Sequence, residues 1–215
     1  MSELTRLPAR AADGRPLLHK YYRHPGGAQA LLVTLPGKLY GVDGALLYYP
    51  SLLLGRRGWD TLAITYGFQS AAEDAMPDPQ VLAEECLGAL RDARSSRPYT
   101  RIGLVGKSLG ASVAARLCVQ APEVADARAA FLTPLLGTPL FDPDFGRSTQ
   151  PACLVVGTAD GFYDEAALRA LAAARPFRLV HLEGGDHSLI VGDDLGASLR
   201  ALQTALTEVL DFLEG

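Results

Sequence analysis

A serine between two glycines is the residue in this chain best suited to covalent chemistry. Gly106-Lys107-Ser108-Leu109-Gly110 fits the pattern Gly-x-Ser-x-Gly and lies between an apolar run and a run rich in small residues. The pattern requires a strand before it and a helix after it, because the serine must stand on a sharp turn that lifts its hydroxyl above a sheet. That turn would place the N–H of Leu109 at the positive end of the helix, where it can stabilise an oxyanion. The sequence therefore predicts a nucleophile at Ser108, against the alternative of a chance pentapeptide.

The same residues also end like a phosphate-binding loop. That loop requires a glycine, four intervening residues and then Gly-Lys-Ser or Gly-Lys-Thr. Arg101 occupies the position of the first glycine. We therefore do not expect nucleotide hydrolysis, and we expect Lys107 to be a surface or strand-end residue.

A serine hydroxyl is a poor nucleophile until a base removes its proton, so a histidine should follow in the chain order serine, acid, histidine. His187 lies in the glycine-rich sequence Gly-Gly-Asp-His-Ser, after the last predicted strand and before the last predicted helix. His19 and His24 precede the core sheet, and His181 lies within an apolar strand. We expect His187 to be the base, with a polar loop residue as the alternative interpretation.

The acid should follow the strand that precedes this histidine. Asp160, in Gly-Thr-Ala-Asp-Gly, stands at the carboxyl end of such a strand, where open α/β sheets build their sites. Asp164 is the rival, but it is better placed to cap the helix that should begin one residue later. Asp186 is adjacent to His187 and could not easily reach its ring. We therefore favour Asp160.

A second oxyanion donor should come from the loop that follows the strand at 31–34. This loop reads Leu-Pro-Gly-Lys-Leu-Tyr-Gly over residues 35–41. Gly37 would let the backbone turn close to a substrate, so the N–H of Lys38 is the first choice and that of Leu39 the alternative. An ordinary Pro-Gly turn is the simpler interpretation.

Short β-rich runs alternate with segments of helical length, which is the pattern of a mostly parallel sheet. Strands are predicted over residues 17–23, 31–34, 61–65, 101–106, 129–136, 152–157 and 178–182, and helices over 44–57, 79–96, 109–121, 165–174 and 194–213. A chain of 215 residues has the length of one ordinary domain. The predicted fold class is therefore α/β, a mostly parallel central sheet flanked by helices, in a single domain over residues 1–215.

Composition narrows the range of partners. With 48% hydrophobic and 20% charged residues the chain is too apolar for disorder, yet no apolar run approaches the roughly 20 residues that span a bilayer. A net charge of −4 gives no attraction for nucleic acid or anionic lipid. Cys86, Cys118 and Cys153 lie at wide spacing in apolar runs, as buried thiols of a reducing compartment do. We expect no nucleic-acid or membrane partner, no metal site and a cytoplasmic location, since the first residues also lack the pattern of a secretory signal.

The three motifs, Gly-Lys-Ser-Leu-Gly, Gly-Thr-Ala-Asp-Gly and Gly-Gly-Asp-His-Ser, together resemble the α/β-hydrolase superfamily over roughly residues 17–213. The resemblance implies Ser108 at a nucleophile elbow, Asp160 as acid, His187 as base, and an oxyanion hole made by the amides of Leu109 and Lys38. It also implies acyl transfer with neither a metal nor an organic cofactor.

Two departures from the family pattern are visible. Many relatives have His-Gly in the oxyanion loop, where this chain has Pro36-Gly37. Relatives with large lids insert a cap domain where this chain has only the short stretch 137–151, so the chain is expected to be lidless with an open cleft.

The expected activity is hydrolysis of small carboxylic esters or thioesters through an acyl-enzyme on Ser108. Apolar residues near the expected mouth could form a pocket for a short acyl or aryl group: Tyr40, Leu135, Leu136, Phe162 and Leu189. Two alternatives stay open at this point. The chain could be a non-catalytic member of the fold that binds a small ligand, or a peptidase or acyltransferase that uses the same triad.

Overall fold

The structure, a computed structural model, describes residues 3–11, 14–71 and 78–215. Within these residues the chain forms an eight-stranded sheet in the order β1-β2-β4-β3-β5-β6-β7-β8. The strands are β1 (Glu3–Thr5), β2 (Lys20–Arg23), β3 (Ala30–Leu35), β4 (Asp60–Ala63), β5 (Arg101–Lys107), β6 (Arg128–Leu132), β7 (Ala152–Gly157) and β8 (Arg178–Leu182). Strands β1 and β2 pair antiparallel, β2 is antiparallel to β4, and the pairs from β4 to β8 are parallel.

Helices cover both faces of this sheet. They are α1 (Ala45–Arg56), α2 (Gly67–Ser70), α3 (Pro79–Ser96), α4 (Leu109–Gln120), α5 (Asp142–Arg147), α6 (Glu165–Ala174) and α7 (Leu195–Glu214). Side chains of β3 alternate between two cores, with Leu31 and Val33 in one and Leu32 in the other. The first core contains α3 to α6 and the second contains α1 and α7, so the sheet is the middle of three layers. The mostly parallel α/β fold expected from the sequence is confirmed.

Helix boundaries follow local chemistry. Asp78 accepts a hydrogen bond from the N–H of Gln80 (2.7 Å), and Pro79 takes the first helical position of α3, where its missing N–H does no harm. At the C-terminal end of α4, Ala121 adopts an extended backbone before Pro122, as a residue preceding proline prefers. Helix α4 therefore ends within one residue of its predicted bound at residue 121.

Three strands are shorter than the sequence pattern indicates. Strand β4 covers Asp60–Ala63 instead of residues 61–65. Strand β2 begins at Lys20 rather than at residue 17, because the N–H of Leu17 donates to the carbonyl of Ala9 (2.9 Å) and not to a sheet neighbour. Strand β6 ends at Leu132 rather than at residue 136, because Thr133 turns to φ 40° and Pro134 has no N–H for a ladder. Elements β1, α2 and α5 were not expected from the pattern.

The chain reverses its winding direction at the centre of the sheet. Strand β4 lies on one side of β3 and β5 lies on the other, with Leu35 opposite Gly106 in register. At such a switch point the loops after neighbouring strands diverge and leave a crevice at their carboxyl ends. The loop after β3 and the turn after β5 therefore meet at the same edge of the sheet.

The segment between β6 and β7 carries α5 and, in the part of the chain that the structure describes, no inserted cap. Phe141 and Phe145 of this segment are fully buried, and their rings contact Phe131 of β6. These aromatic residues belong to the core and do not cover the crevice.

Candidate active site

Ser108 stands alone between β5 and α4 with φ 55° and ψ −114°. A positive φ is strained for a residue with a side chain, and such strain is typical of functional turns. The N–H of Ser108 donates to the carbonyl of Leu132 (2.9 Å), which fixes the turn to the neighbouring strand. As the first residue of α4, Leu109 has an N–H with no acceptor inside the helix, so this N–H is free to point at a ligand.

The glycines on either side of Ser108 are required by close backbone contacts. A Cβ on Gly106 would lie 2.3 Å from the carbonyl oxygen of Gly110, and a Cβ on Gly110 would lie 2.1 Å from that of Leu35. Real Cβ atoms do not approach backbone atoms so closely. Only glycine at both positions lets α4 fold back against β3 and β5.

Three side chains from three loops meet at this edge. The Nε2 atom of His187 lies 2.9 Å from Oγ of Ser108, and its Nδ1 lies 2.8 Å from Oδ2 of Asp160. Because the carboxylate can only accept, Nδ1 carries the proton and Nε2 accepts from the serine hydroxyl. Asp160 is buried, whereas the His187 side chain is 34% exposed. This arrangement can deprotonate Ser108 and stabilise the resulting imidazolium.

The loops that carry Asp160 and His187 contact each other directly. A Cβ on Gly157 would lie 2.1 Å from the carbonyl oxygen of Gly185, so the two backbones touch. The N–H of Ala159 donates to the same carbonyl (2.9 Å), and the N–H of Gly184 donates to the hydroxyl of Thr158 (2.7 Å). These contacts set the position of Asp160 relative to the histidine.

The loop after β3 lies directly against the elbow. A Cβ on Gly37 would lie 3.4 Å from the carbonyl oxygen of Lys107 and 3.5 Å from Cβ of Ser108. The N–H of Gly37 donates to the carbonyl of Tyr40 (2.9 Å), which closes a tight turn over residues 37–40. Lys38, chosen from the sequence as the second oxyanion donor, therefore lies in the turn that contacts the serine.

A family model for the alpha/beta hydrolase domain matches residues 56–214. The chain belongs to the alpha/beta hydrolase family. The matched range contains Ser108, Asp160 and His187 but not Lys38.

Solved structures resemble this hydrolase along nearly its whole length. An α/β serine hydrolase without a lid from Xanthomonas campestris is 17% identical, with a TM-score of 0.71 over 96% of this chain and 94% of the other. A dienelactone hydrolase from Anabaena variabilis is 18% identical, with a TM-score of 0.74 over 99% of each chain. An esterase from Pyrococcus furiosus is 14% identical, with a TM-score of 0.74 over 100% of this chain and 92% of the other. At these identities the likeness establishes the fold.

No curated protein matches the hydrolase by sequence. Among the described residues, no helix is long and apolar enough to cross a membrane. The same residues contain no group of three or more His, Cys, Asp or Glu side chains arranged to hold a metal ion.

The rival acids of this hydrolase have other partners. Asp164 is the N-cap of α6, where its Oδ1 accepts from the N–H of Ala167 (2.9 Å). Asp186 shapes the histidine loop, since its Oδ1 accepts from the N–H groups of Ser188 (2.7 Å) and Ile190 (2.9 Å). The ring of His187 is bonded to Asp160 and not to either of these two carboxylates.

The other histidines lie away from the serine. His181 is exposed on β8, with Nε2 3.0 Å from the hydroxyl of Tyr163. His19 is buried, and its Nδ1 accepts from the N–H of Thr65 (3.1 Å). Burial lowers the pKa of His19 to about 4, so this ring is neutral at ordinary pH and acts as a backbone acceptor.

Lys107 differs from its sequence interpretation in one respect. It is the last residue of β5, as expected, but it is 1% exposed and is not a surface residue. Its Nζ lies 5.3 Å from the centre of the Tyr40 ring. Burial lowers the pKa of Lys107 to about 8, although the negative charges of Asp160 and Asp186 act in the opposite direction. A buried ammonium group thus lies against the Tyr40 ring and interacts electrostatically with Asp160 and Asp186.

The apolar residues expected at the mouth have different surroundings. Phe162 is 42% exposed, and its ring centre lies 5.3 Å from that of His187, which suits a substrate contact. Tyr40 is half-buried, with its hydroxyl accepting from the N–H of Leu46 (2.9 Å), so it also supports the loop. Leu135 is half-buried against the core. Leu136 and Leu189 are buried and offer little surface to a ligand.

Proposed function

We propose that this hydrolase cleaves small carboxylic esters or thioesters through an acyl-enzyme on Ser108. One observation carries the proposal: an unbroken chain of hydrogen bonds runs from Asp160 to His187 (2.8 Å) and from His187 to Ser108 (2.9 Å). A serine hydroxyl on a strained turn, paired with an oriented imidazole, is the arrangement that nucleophilic acyl transfer needs.

In the acylation half of the reaction, Oγ of Ser108 attacks the carbonyl carbon as Nε2 of His187 takes the hydroxyl proton. The imidazolium is stabilised by Asp160. The tetrahedral oxyanion is stabilised by the N–H of Leu109 and by the N–H of Lys38 or Leu39. Nε2 then gives its proton to the leaving alcohol or thiol, and the acyl group remains on the serine.

In the deacylation half, water takes the place of the leaving group. His187 accepts a proton from the water as its oxygen attacks the acyl carbonyl, and the second tetrahedral intermediate collapses to the free acid. The proton returns to Oγ of Ser108. No redox step occurs, and proton transfer by His187 is sufficient for both halves.

The surroundings of the triad support a small substrate. Phe141 and Phe145, from the segment between β6 and β7, are buried in the core and do not cover the site. His187 and Phe162 are partly exposed at the surface. A groove of about 420 Å³ beside α1 is lined by Tyr22, Tyr48 and Leu52 among others, but by no member of the triad. An open cleft leaves the methylenes of a long acyl chain in water, and each forgoes about 0.8 kcal/mol of binding.

Two further observations support the proposal. One of the similar solved structures is a dienelactone hydrolase and another is an esterase, and both names agree with ester chemistry. Cys86, Cys118 and Cys153 are free and buried, which agrees with a reducing compartment such as the cytoplasm. We also infer that residues 1–215 form one domain, because a single sheet extends from β1 to β8.

The test is a chain-length series of p-nitrophenyl esters, measured with the wild type and with Ser108→Ala. We expect kcat/KM to be highest from acetyl to butyryl, to fall for longer chains, and to vanish in the variant. A parallel panel of thioesters, peptide amides and acyl acceptors separates hydrolysis from peptidase and acyltransferase activity. Binding of substrates without turnover in the wild type would favour a non-catalytic member of the fold instead. A maximum at long chains would contradict the open cleft.

A further inference from the structure

The side chain of Gln69 connects α2 to the oxyanion loop. Its Nε2 lies 2.8 Å from the carbonyl oxygen of Gly37 and 3.3 Å from that of Lys38. Its Oε1 accepts from the N–H of Tyr66 (3.3 Å), within the same turn of α2. One amide group thus bridges the backbone of a short helix and two consecutive carbonyls of the loop beside the serine.

The orientation of this amide is set by its partners. Two carbonyl oxygens can only accept, so the atom that faces them must be the NH₂ group. The N–H of Tyr66 can only donate, so the atom that faces it must be the oxygen. Either a carboxylate or an apolar group at position 69 would lose both bonds to the loop.

The direction of the Lys38 N–H follows from the position of Gln69. In a trans peptide the C=O of one residue and the N–H of the next point in opposite directions. Because the carbonyl of Gly37 is directed at Gln69, the N–H of Lys38 is directed away from α2. The N–H of Gly37 is already bonded to the carbonyl of Tyr40, so it is not the donor.

The far end of the loop is fixed separately. The hydroxyl of Tyr40 accepts from the N–H of Leu46 at the start of α1, and its ring lies over the ammonium of Lys107. At the near end, Gly37 lies so close to the serine that an added Cβ would be 3.5 Å from Cβ of Ser108. Gln69 therefore acts on the peptide units between two fixed points, where a rotation would redirect the N–H of Lys38.

We infer that Gln69 is a positioning residue, which holds the oxyanion loop in the conformation that aims the N–H of Lys38 at the developing oxyanion. The inference rests on the proposed function, because an oxyanion forms only if Ser108 attacks a carbonyl. Gln69 itself does not touch the substrate. Its contribution acts on the transition state, where a preorganised donor lowers the barrier without strengthening substrate binding.

The test compares Gln69→Leu and Gln69→Glu with the wild type. Leucine has a similar size without a donor, and a carboxylate repels the two carbonyls. We expect kcat to fall about 10- to 100-fold with KM changed less than about 3-fold, since losing one oxyanion donor outright costs about 10²- to 10³-fold in kcat. Inhibition by a trifluoromethyl ketone, which forms a tetrahedral adduct, should weaken by a similar factor.

Ser70→Ala is the matched control, because the hydroxyl of Ser70 donates to the carbonyl of Tyr66 in the same four-residue helix without reaching the loop. It should leave kcat unchanged. Amide hydrogen exchange of the Gly37 N–H, which is bonded to the carbonyl of Tyr40, gives a readout independent of activity and should accelerate in both Gln69 variants. Gln69→Met replaces either variant if it does not fold.

The outcomes are distinct. Either unchanged exchange or unchanged kcat in folded Gln69 variants overturns the inference. An equal loss of kcat in Ser70→Ala also overturns it. A wild-type protein that neither reacts with a fluorophosphonate nor turns over esters overturns the proposed function, while the exchange experiment still decides whether Gln69 holds the loop.

Discussion

Replacing Asp160 by asparagine should remove most of the activity while leaving the fold in place. The carboxylate uses both oxygens: Oδ2 accepts from Nδ1 of His187 (2.8 Å) and Oδ1 accepts from the N–H of Phe162 (2.9 Å). An asparagine has one acceptor for these two donors. When its oxygen serves Phe162, its NH₂ group faces Nδ1, the ring proton moves to Nε2, and Nε2 can no longer accept the proton of Ser108.

The size of the effect follows from the opposite orientation of the amide. Turning the oxygen toward His187 leaves the N–H of Phe162 facing an NH₂ group, and a buried unsatisfied donor costs about 1–3 kcal/mol. Since about 1.4 kcal/mol corresponds to a factor of ten in population, this cost leaves only about 0.5–20% of the molecules in the productive tautomer. Even these molecules lack the negative charge that stabilises the imidazolium. We therefore expect kcat/KM to fall about 10²- to 10⁴-fold.

Asp164→Asn is the matched control, since it makes the same chemical change four residues away. Asp164 caps α6 through the N–H of Ala167, and asparagine is an equally good N-cap. Activity should stay within about 2-fold, since substitutions away from catalytic and buried groups have small effects. Asp164→Ala should lower the free energy of unfolding by about 1 kcal/mol with kcat unchanged.

The assay is hydrolysis of p-nitrophenyl acetate, with rates divided by the protein concentration. Circular dichroism checks that each variant is folded. Asp160→Asn within tenfold of the wild type would refute the assignment of the acid. A large loss in Asp164→Asn, with Asp160→Asn mild, would move that role to Asp164.

Three further predictions concern stability, each measured by urea unfolding. Lys107→Met should be more stable than the wild type at pH 7, because the folded-state pKa of Lys107 of about 8 lies below its unfolded value of 10.5. This advantage, about 3 kcal/mol, should shrink as the pH rises from 8 to 10.5, and a constant difference would contradict it. The pKa of His19 is about 4 in the folded state and 6.5 in the unfolded state, so about 3 kcal/mol of stability is present above pH 6.5 and is lost as the pH falls to 4. His19→Asn keeps the acceptor and should abolish this loss, whereas an equal loss in both proteins would contradict the role of His19. Gly110→Ala should destabilise the folded protein by about 3 kcal/mol or more, because the new Cβ would meet the carbonyl of Leu35. Gly88→Ala has open space around it in α3 and should stabilise the protein by about 0.5–1 kcal/mol, so similar values for the two variants would refute the packing argument.

Much of the fold could be predicted because the strands of a covered parallel sheet are short apolar runs. Strands β5, β7 and β8 and helices α3 and α6 lie within a residue of the predicted bounds. The prediction failed where a turn, and not the apolar pattern, decides the end of an element. Thr133 and Pro134 terminate β6 although the apolar residues continue to Leu136.

The candidate triad could be predicted because each residue follows a strand and lies beside glycines that close backbone contacts require. Gly157 is an example, since the histidine loop touches it. The burial of Lys107 could also have been inferred, because strand alternation places it on the same face as Val105, in the core of α1 and α7. Gln69 could not be found in this way. It lies in a helix of four residues, too short to show a periodicity, and its contacts with residues 37–38 depend on the tertiary structure.

Covalent labelling with a fluorophosphonate, followed by peptide mass mapping, tests most directly whether Ser108 is an activated nucleophile. The wild type should gain one adduct, on the peptide that contains Ser108. Ser108→Ala should gain none, and His187→Ala should react at least about 10²-fold more slowly, because members of a triad act as a unit. Folded wild-type protein that remains unlabelled, or an adduct that persists in Ser108→Ala, would contradict the account.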